Sequence, residues 1–401
     1  MRPLLITAVT LISALGRGTA ATAEALRARQ GGLRPCDGAA FGIAPGAGGH
    51  VGRVAGVEAH ALQPPLTRFA CRNNHLADIA LRGDGFMQHV AAARERYGAG
   101  RIAVVAGTST SGILAGEQAY RERDAATGVL PASFLYPDTQ DLFSLARFVR
   151  AALALHGPAM TLSSACASSA KSFMQAAYLI DSGLCDAAIV GGADSLCGMT
   201  VHGFAALELI SPTPCRPCDA ARSGISVGEA AGFALLERPE AARDAPFAAL
   251  LGCGATSDGY HMSSPDPVGG GAIGSMRQAL QSAGLSPPDI DYINLHGTGT
   301  RANDAMEDIA VSTVFGDAVA SSSTKGWTGH TLGAAGVVEA IIAGLCIGSG
   351  FMPGCLGVTE VDPAFRARVL VDNEDAPVRR VLSNSFGFGG INCSLLFGAS
   401  A

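Results

Sequence analysis

Cys166 lies in the run Ser163-Ser-Ala-Cys-Ala-Ser-Ser-Ala-Lys171. A strand-like stretch, Met160 to Leu162, precedes it. A helical pattern follows, with Ala170, Phe173, Met174 and Ala177 on one face. This places the thiol at or beside a helix N-terminus, where the helix dipole favours thiolate and lowers the thiol pKa. The small flanking residues let a carbonyl carbon approach and leave backbone N–H groups free for an oxyanion hole. Nucleophilic attack on an acyl group is the chemistry that fits. Taken alone, the run fits a buried structural cysteine equally well.

Two histidines extend the set. His296 ends a strand and opens His296-Gly-Thr-Gly-Thr300. His330 closes Lys325-Gly-Trp-Thr-Gly-His330, ahead of an apolar helix. Each ring sits where a strand or turn meets glycines, so it can face a cavity. Two imidazoles beside one thiol suit a reaction that stabilises an enolate as well as forming a thioester. The pair lacks zinc-site spacing, and Cys215 and Cys218 form a single CxxC without a second pair, so no metal is expected. Glu339 lies among Leu332, Ala335, Val338, Ile341 and Ile342, and a buried carboxylate needs a partner. Lys325 is the economical candidate, because the only other lysine is Lys171. The stretch from Asn384 to Asn392 reads as a glycine-rich loop in which Phe386 and Phe388 can swing while the backbone N–H groups stay exposed. It has no GxGxxG-to-helix arrangement, so nucleotide binding is unsupported.

These residues need a scaffold, and the pattern around them alternates short apolar strands with alanine-rich helices. The strands are Leu4–Leu11, Ile102–Ala106, Ala187–Val190, Tyr292–Leu295 and Val381–Leu382; the helices are Ser168–Ser182 and Leu332–Ile347. The alternation predicts an α/β fold with strands covered on both faces. The N-terminal stretch imitates a signal peptide but reads better as a buried first strand followed by a helix near Thr22 and Glu24. Leu332–Ile347 is too short and carries Glu339, so no membrane span is expected. Apolar residues make up 48% of the 401 residues and charged residues 15%, which excludes a disordered chain. A net charge of −6 gives no indication of nucleic-acid binding. Eleven cysteines without a spacing framework point to reduced thiols and a cytoplasmic location. A polar, proline-bearing seam at Arg238–Pro246 divides the chain into residues 1–245, carrying the cysteine, and 246–401, carrying both histidines.

Further landmarks are Arg72-Asn-Asn-His-Leu76, Gly107-Thr-Ser-Thr-Ser-Gly112, Gly228-Glu229 and the stretch from Cys218 to Gly224. In order and spacing, and with the motifs above, the chain resembles the β-ketoacyl-[acyl carrier protein] synthase I/II class of condensing enzymes from end to end. The second histidine separates that class from ketoacyl synthase III.

The resemblance implies a thiolase-like fold, with duplicated halves in five αβαβα layers. It implies a catalytic set of Cys166, His296 and His330, with Lys325 and Glu339 holding the electrostatics and Glu307 and Asp304 in support. Thr298 and Thr300 match pantetheine-contacting positions. Phe388, with Phe386, matches the gating and oxyanion segment. The implied acyltransferase reaction is a decarboxylative Claisen condensation of malonyl-ACP with an acyl group taken from acyl-ACP. No separate cofactor is implied, because the phosphopantetheine arrives on the carrier. The partners are the two carrier thioesters and a second subunit, in a homodimer or in a heterodimer with a chain-length factor. A non-catalytic chain-length-factor role is the alternative, and Cys166 argues against it. The sequence departs from the pattern at Ala230, where Gly is usual, and at Arg301, where Pro or Ala is common. The Tyr136 segment lacks the basic residues that help dock an acidic carrier. The overall look also fits polyene or aryl-polyene synthases. With lysine nearly absent, the expected docking residues are Arg68 and Arg72, which share a face if they lie on one helix, with Arg121 and Arg123; solvated surface arginine, or for Arg72 a structural hydrogen-bonding role, is the alternative.

Overall fold

The structure is a computed structural model that describes residues 1–44, 46–241 and 245–399. Its centre is the strand Leu4–Ser13, buried at nine of its ten positions. The strand is rich in Leu, Ile, Val and Thr, which suit a pleated surface covered on both sides. It pairs antiparallel with Ala230–Glu237 on one side and, through Leu4–Ile6, with Ala248–Ser257 on the other.

From that seam the sheet extends in both directions with the same connectivity. One half runs outward through Leu4–Ser13, Ala230–Glu237, Ala187–Asp194, Ile102–Gly107 and Ala159–Leu162. The other runs through Ala248–Ser257, Ile391–Gly398, Arg380–Gly387, Tyr292–Asn294 and Ala320–Ser322. Counted in chain order within each half, both read first, fifth, fourth, second, third. This is the duplication of a thiolase-like fold. The helices Ser168–Asp181 and Ala335–Ser349 pack on each other between the two halves. Gly336 permits that approach, since a Cβ there would lie 2.5 Å from the Ala170 nitrogen. Helices Arg72–Leu81 and Ser144–Ala152 cover one outer face; Gly270–Ala283 covers the other and carries Arg301–Phe315 against it. The result is five alternating layers.

Several expectations change. The Asn384–Asn392 stretch is a β-hairpin, not a loop: Arg380–Gly387 pairs with Ile391–Gly398, and Gly389 and Gly390 supply φ of +82° and +71° at the turn. Phe386 is therefore fixed in a strand, and only Phe388 sits in the turn. Arg68 and Arg72 do not share a helix, because Arg68 belongs to the 3₁₀ turn Leu66–Phe69 and Arg72 starts Arg72–Leu81. The N-terminal helix begins at Thr19, ahead of Thr22. The run Leu332–Ser349 is, by length and composition, apolar enough to cross a membrane, yet 78% of it is buried inside the protein and it forms the core helix. Residues 242–244 of the Arg238–Pro246 seam lie outside the described residues.

Candidate active site

The chain turns sharply into the helix Ser168–Asp181. Ala165 takes φ +47°, and Ser168 Oγ clamps the turn, accepting from the Ser164 N–H at 2.8 Å and donating to the Ala165 carbonyl at 2.6 Å. Cys166 is held on this turn, two residues before the helix begins. The hairpin closes over it: the Phe388 N–H reaches its sulfur, and a Cβ on Gly387 would lie 3.2 Å from the Cys166 nitrogen. The hairpin thus brings the Phe388 N–H to the sulfur and Gly387 close to the Cys166 nitrogen, so the two backbone N–H groups lie side by side at the nucleophile, where an oxyanion would form.

This closure reverses one expectation. Burial pushes the Cys166 thiol up to about 11, against the opposing pull of the Lys325 charge and the Phe388 N–H. Desolvation of a thiolate outweighs the helix dipole here. The proton has a nearby acceptor, because His330 Nε2 lies 3.0 Å from Cys166 Sγ. The His330 backbone is held by the Ser226 carbonyl at 2.7 Å. Its Nδ1 has no partner among the described residues, so no hydrogen bond fixes its tautomer.

His296 is fixed from the opposite side. Its ring stands edge-on to His330 at 5.2 Å between centroids, and 6.0 Å from the Phe386 ring. The Lys325 ammonium sits 3.3 Å from His296 Nδ1 and contacts the Glu339 carboxylate directly. An ammonium can only donate, so Nδ1 accepts and the ring proton sits on Nε2. Burial, reinforced by Lys325, pushes both imidazoles well below their ordinary pKa, so both are neutral. Burial pushes the Glu339 carboxyl up to about 7, with Lys325 pulling the other way.

The loop after His296 is pinned by two buried acids. Glu307 accepts from the His296 and Gly297 N–H groups at 2.8 and 2.7 Å, and from Asn384 Nδ2 at 3.1 Å. Its carboxyl is raised to about 7 by burial. Asp304, also raised by burial, accepts from Thr298, Gly299 and Cys218 N–H groups at 2.9–3.2 Å. Thr298 and Thr300 place their hydroxyls 2.9 Å apart. Cys166, His296, His330, Thr298, Thr300 and Phe388 all line one cavity of about 520 Å³, within the range of small-molecule sites.

The ligand atoms of Cys166, His296 and His330 lie within 4.8 Å of one another, a set that could converge on a metal. The arrangement suits a metal poorly. His296 Nδ1 faces an ammonium rather than the carboxylate or carbonyl that orients a ligating histidine, and a dication would sit beside a fixed positive charge. Cys215 and Cys218 turn to different partners, the Lys325 carbonyl at 3.2 Å and the Cys355 thiol.

Two contributors had no role in the sequence reading. Asp194, fully buried, accepts from Thr108 Oγ1 at 2.6 Å and the Ser109 and Thr110 N–H groups at 2.9 Å, and also binds the Gly333 N–H, tying the cysteine half to the turn after His330. A lone acid ending the apolar strand Ala187–Asp194 was its signal. Phe204 packs edge-on to Phe388 at 5.7 Å on the cavity wall; an unremarkable aromatic carries no such signal. For Arg72 the structure supports the structural hydrogen-bonding role. Its buried guanidinium grips Glu229 at 2.8 and 2.6 Å, and Glu229 in turn accepts from the Val54 and Leu196 N–H groups. Arg68 remains exposed, 4.0 Å from Asp138, and Arg121 pairs with Glu117 at 3.6 Å.

Known proteins are similar to this chain in sequence and fold. The family profiles described as the N-terminal and C-terminal domains of beta-ketoacyl synthase match residues 1–242 and 247–359. The chain belongs to the beta-ketoacyl synthase family. It is 40% identical over 259 residues to the mitochondrial 3-oxoacyl-[acyl-carrier-protein] synthase of Arabidopsis thaliana, a match spanning 60% of this chain and 56% of that one. It is 39% identical over 259 residues to 3-oxoacyl-[acyl-carrier-protein] synthase 2 of Rhizobium meliloti, spanning 60% and 61% of the two chains. Among solved structures, a ketosynthase of Xenorhabdus doucetiae in complex with its chain length factor matches with a TM-score of 0.90 and 39% identity, covering 100% of this chain and 98% of that one. The ishigamide ketosynthase/chain length factor matches with a TM-score of 0.91 and 29% identity over the full length of both chains.

Proposed function

We propose that this chain is a β-ketoacyl-[acyl carrier protein] synthase, an acyltransferase that extends an acyl chain in fatty-acid or polyene/polyketide synthesis. The observation that carries the reading is the 3.0 Å contact between Cys166 Sγ and His330 Nε2, with the neutral His296 edge-on beside it.

In the first half-reaction the Cys166 sulfur attacks the thioester carbon of acyl-ACP. A new C–S bond forms while the oxyanion is held by the Cys166 and Phe388 N–H groups. His330 Nε2 receives the thiol proton, the old C–S bond breaks, and the pantetheine sulfur leaves as a thiol with that proton. In the second half-reaction the malonyl thioester oxygen lies against the Nε2–H of His296 and against that of His330, whose unpartnered Nδ1 lets the neutral ring move its own proton to Nε2 once Cys166 is acylated. The malonyl C–C bond breaks, CO₂ leaves, and the electron pair becomes an enolate held by those donors. The enolate carbon attacks the acyl-cysteine carbonyl, a C–C bond forms, the C–S bond to Cys166 breaks, and the released thiolate takes a proton from water. Lys325 and Glu339 keep His296 in its donating tautomer throughout. The two carrier-borne thioesters are the substrates, their phosphopantetheine lies along Thr298 and Thr300, and no metal or separate organic cofactor takes part. Eleven free cysteines support a cytoplasmic setting.

The chain divides into two halves near residue 245 and acts as a dimer. The strand Ala159–Leu162 at the end of the sheet is half-exposed throughout, and Tyr136 and Phe143 are also exposed, which supports a partner there. A homodimer is one reading. The solved ketosynthases that carry a chain length factor favour a heterodimer as the second, and native mass spectrometry with and without such a subunit decides between them.

The acyl-enzyme tests the function itself. Incubation with acyl-ACP followed by peptide mass spectrometry should place the acyl group on Cys166. An adduct on another cysteine, or full activity in Cys166→Ala, rejects the reading.

A further inference from the structure

Arg301 is the first residue of the helix Arg301–Phe315 and lines the cavity with Ala302 and Asn303, beside Thr300. Its side chain is exposed, and no hydrogen bond or ion pair holds its guanidinium among the described residues. Asp362 feels its charge but is committed to Arg222 at 2.6 Å.

Locally this is an unfavourable place for a cation. The N-terminus of a helix is its positive end, and its first N–H groups have no intrahelical acceptor. Asn303 N–H reaches the Thr300 hydroxyl only at 3.4 Å. Asp304, the acid of the first turn, would offset the dipole, but it is buried and turned inward onto Cys218, Thr298 and Gly299. A second guanidinium, Arg222, lines the same cavity, and its buried Nε has no hydrogen-bond partner among the described residues, the Asp304 carboxylate being 3.7 Å away. Two carboxylates also line the cavity. Asp258 is held by Asn392 Nδ2 at 2.7 Å and by the Asp266 N–H, whereas Glu208 is exposed. Two guanidinium groups thus stand beside the Thr298–Thr300 wall, and of the two Arg301 is the one with no ion-pair partner among the described residues.

We propose that Arg301, with the helix N-terminus behind it, binds the phosphodiester that joins the pantetheine arm to its carrier. The inference rests on the carrier-thioester reading above. With the thioester at Cys166 and the amide-bearing arm along Thr298 and Thr300, the one anionic group of the arm is at its far end, at the cavity mouth. A guanidinium matches phosphate oxygens in geometry as well as charge. The contact positions the arm before chemistry and selects phosphorylated pantetheine over pantetheine alone.

The experiment compares acylation of Cys166 by an acyl-phosphopantetheine thioester, the matching acyl-pantetheine thioester and acyl-ACP, in the wild type, Arg301→Ala and Arg301→Lys. The wild type should show a KM roughly tenfold lower for the phosphorylated thioester, the size of one charge-assisted contact. In Arg301→Ala that ratio should fall to within about twofold, with acyl-ACP losing the same factor; Arg301→Lys should keep part of it, and salt should shrink it. A ratio unchanged in Arg301→Ala, no discrimination in the wild type, or a loss confined to acyl-ACP overturns the assignment. If neither small thioester nor acyl-ACP acylates the wild-type cysteine, the functional reading fails and takes this inference with it. If all three acylate it without discrimination, only the role of Arg301 fails.

Discussion

The Lys325 ammonium lies 3.3 Å from Nδ1 of His296, and this contact fixes which ring nitrogen faces the substrate. Lys325 is in turn held by Glu339, itself buried in the helix Ala335–Ser349. The three form a relay that positions a proton rather than transferring one.

That relay predicts coupling. Lys325→Ala and Glu339→Ala should each reduce condensation. The double variant should lose less than the sum, with an interaction energy of about 0.5–3 kcal/mol in a double-mutant cycle. Both single variants should slow malonyl decarboxylation more than acylation of Cys166. Strict additivity would show that the two side chains do not act as a pair.

The buried thiol predicts an alkaline reactivity profile. With Cys166 raised to about 11, the neutral thiol dominates at pH 7–9. Its rate of alkylation by iodoacetamide should climb roughly tenfold per pH unit through that range, since the thiolate is the reactive form. A plateau reached by pH 7 would mean the helix dipole and Lys325 win over burial.

Arg72 and Arg68 should behave differently. Arg72→Ala leaves the fully buried Glu229 without its guanidinium and should cost about 3–5 kcal/mol in denaturant unfolding. It should impair carrier-borne and small thioesters alike. Arg68→Glu, at a 57% exposed side chain, should change stability by less than about 0.5 kcal/mol. A carrier-specific KM effect from Arg72→Ala would restore it as a docking residue.

Much of the site was legible because its members announce themselves locally. Cys166 and His330 stand among small residues or glycines at turns, His296 opens a glycine-rich run, and Glu339 is a lone charge in an apolar helix. What was not legible depends on distant chain. The direction of the Cys166 shift is set by a hairpin at Arg380–Gly398 that covers it. Arg72 finds Glu229 across 157 residues, and neither local stretch names the other. The hairpin itself was hidden because Gly387, Gly389 and Gly390 look alike in sequence, yet Gly387 ends a strand and the other two make its turn.

The crossing of the two central helices predicts a stability effect independent of chemistry. Gly336→Ala would place a Cβ 2.5 Å from the Ala170 nitrogen, just past the cysteine turn. Such overpacking typically costs about 1–3 kcal/mol. Urea unfolding should show the loss, together with slower acylation as the helix behind Cys166 is displaced. An unchanged midpoint would mean the helices separate without penalty.

Stoichiometry in the complete reaction tests the condensation chemistry most directly. Acyl-ACP and malonyl-ACP are mixed with enzyme, and CO₂ and β-ketoacyl-ACP are quantified together. The predicted result is one CO₂ per β-ketoacyl product, with product abolished in Cys166→Ala and CO₂ release reduced about 10²–10³-fold in His296→Ala, the usual cost of one lost oxyanion donor. Condensation that continues without Cys166, or CO₂ release that is unaffected by removing His296, would contradict it.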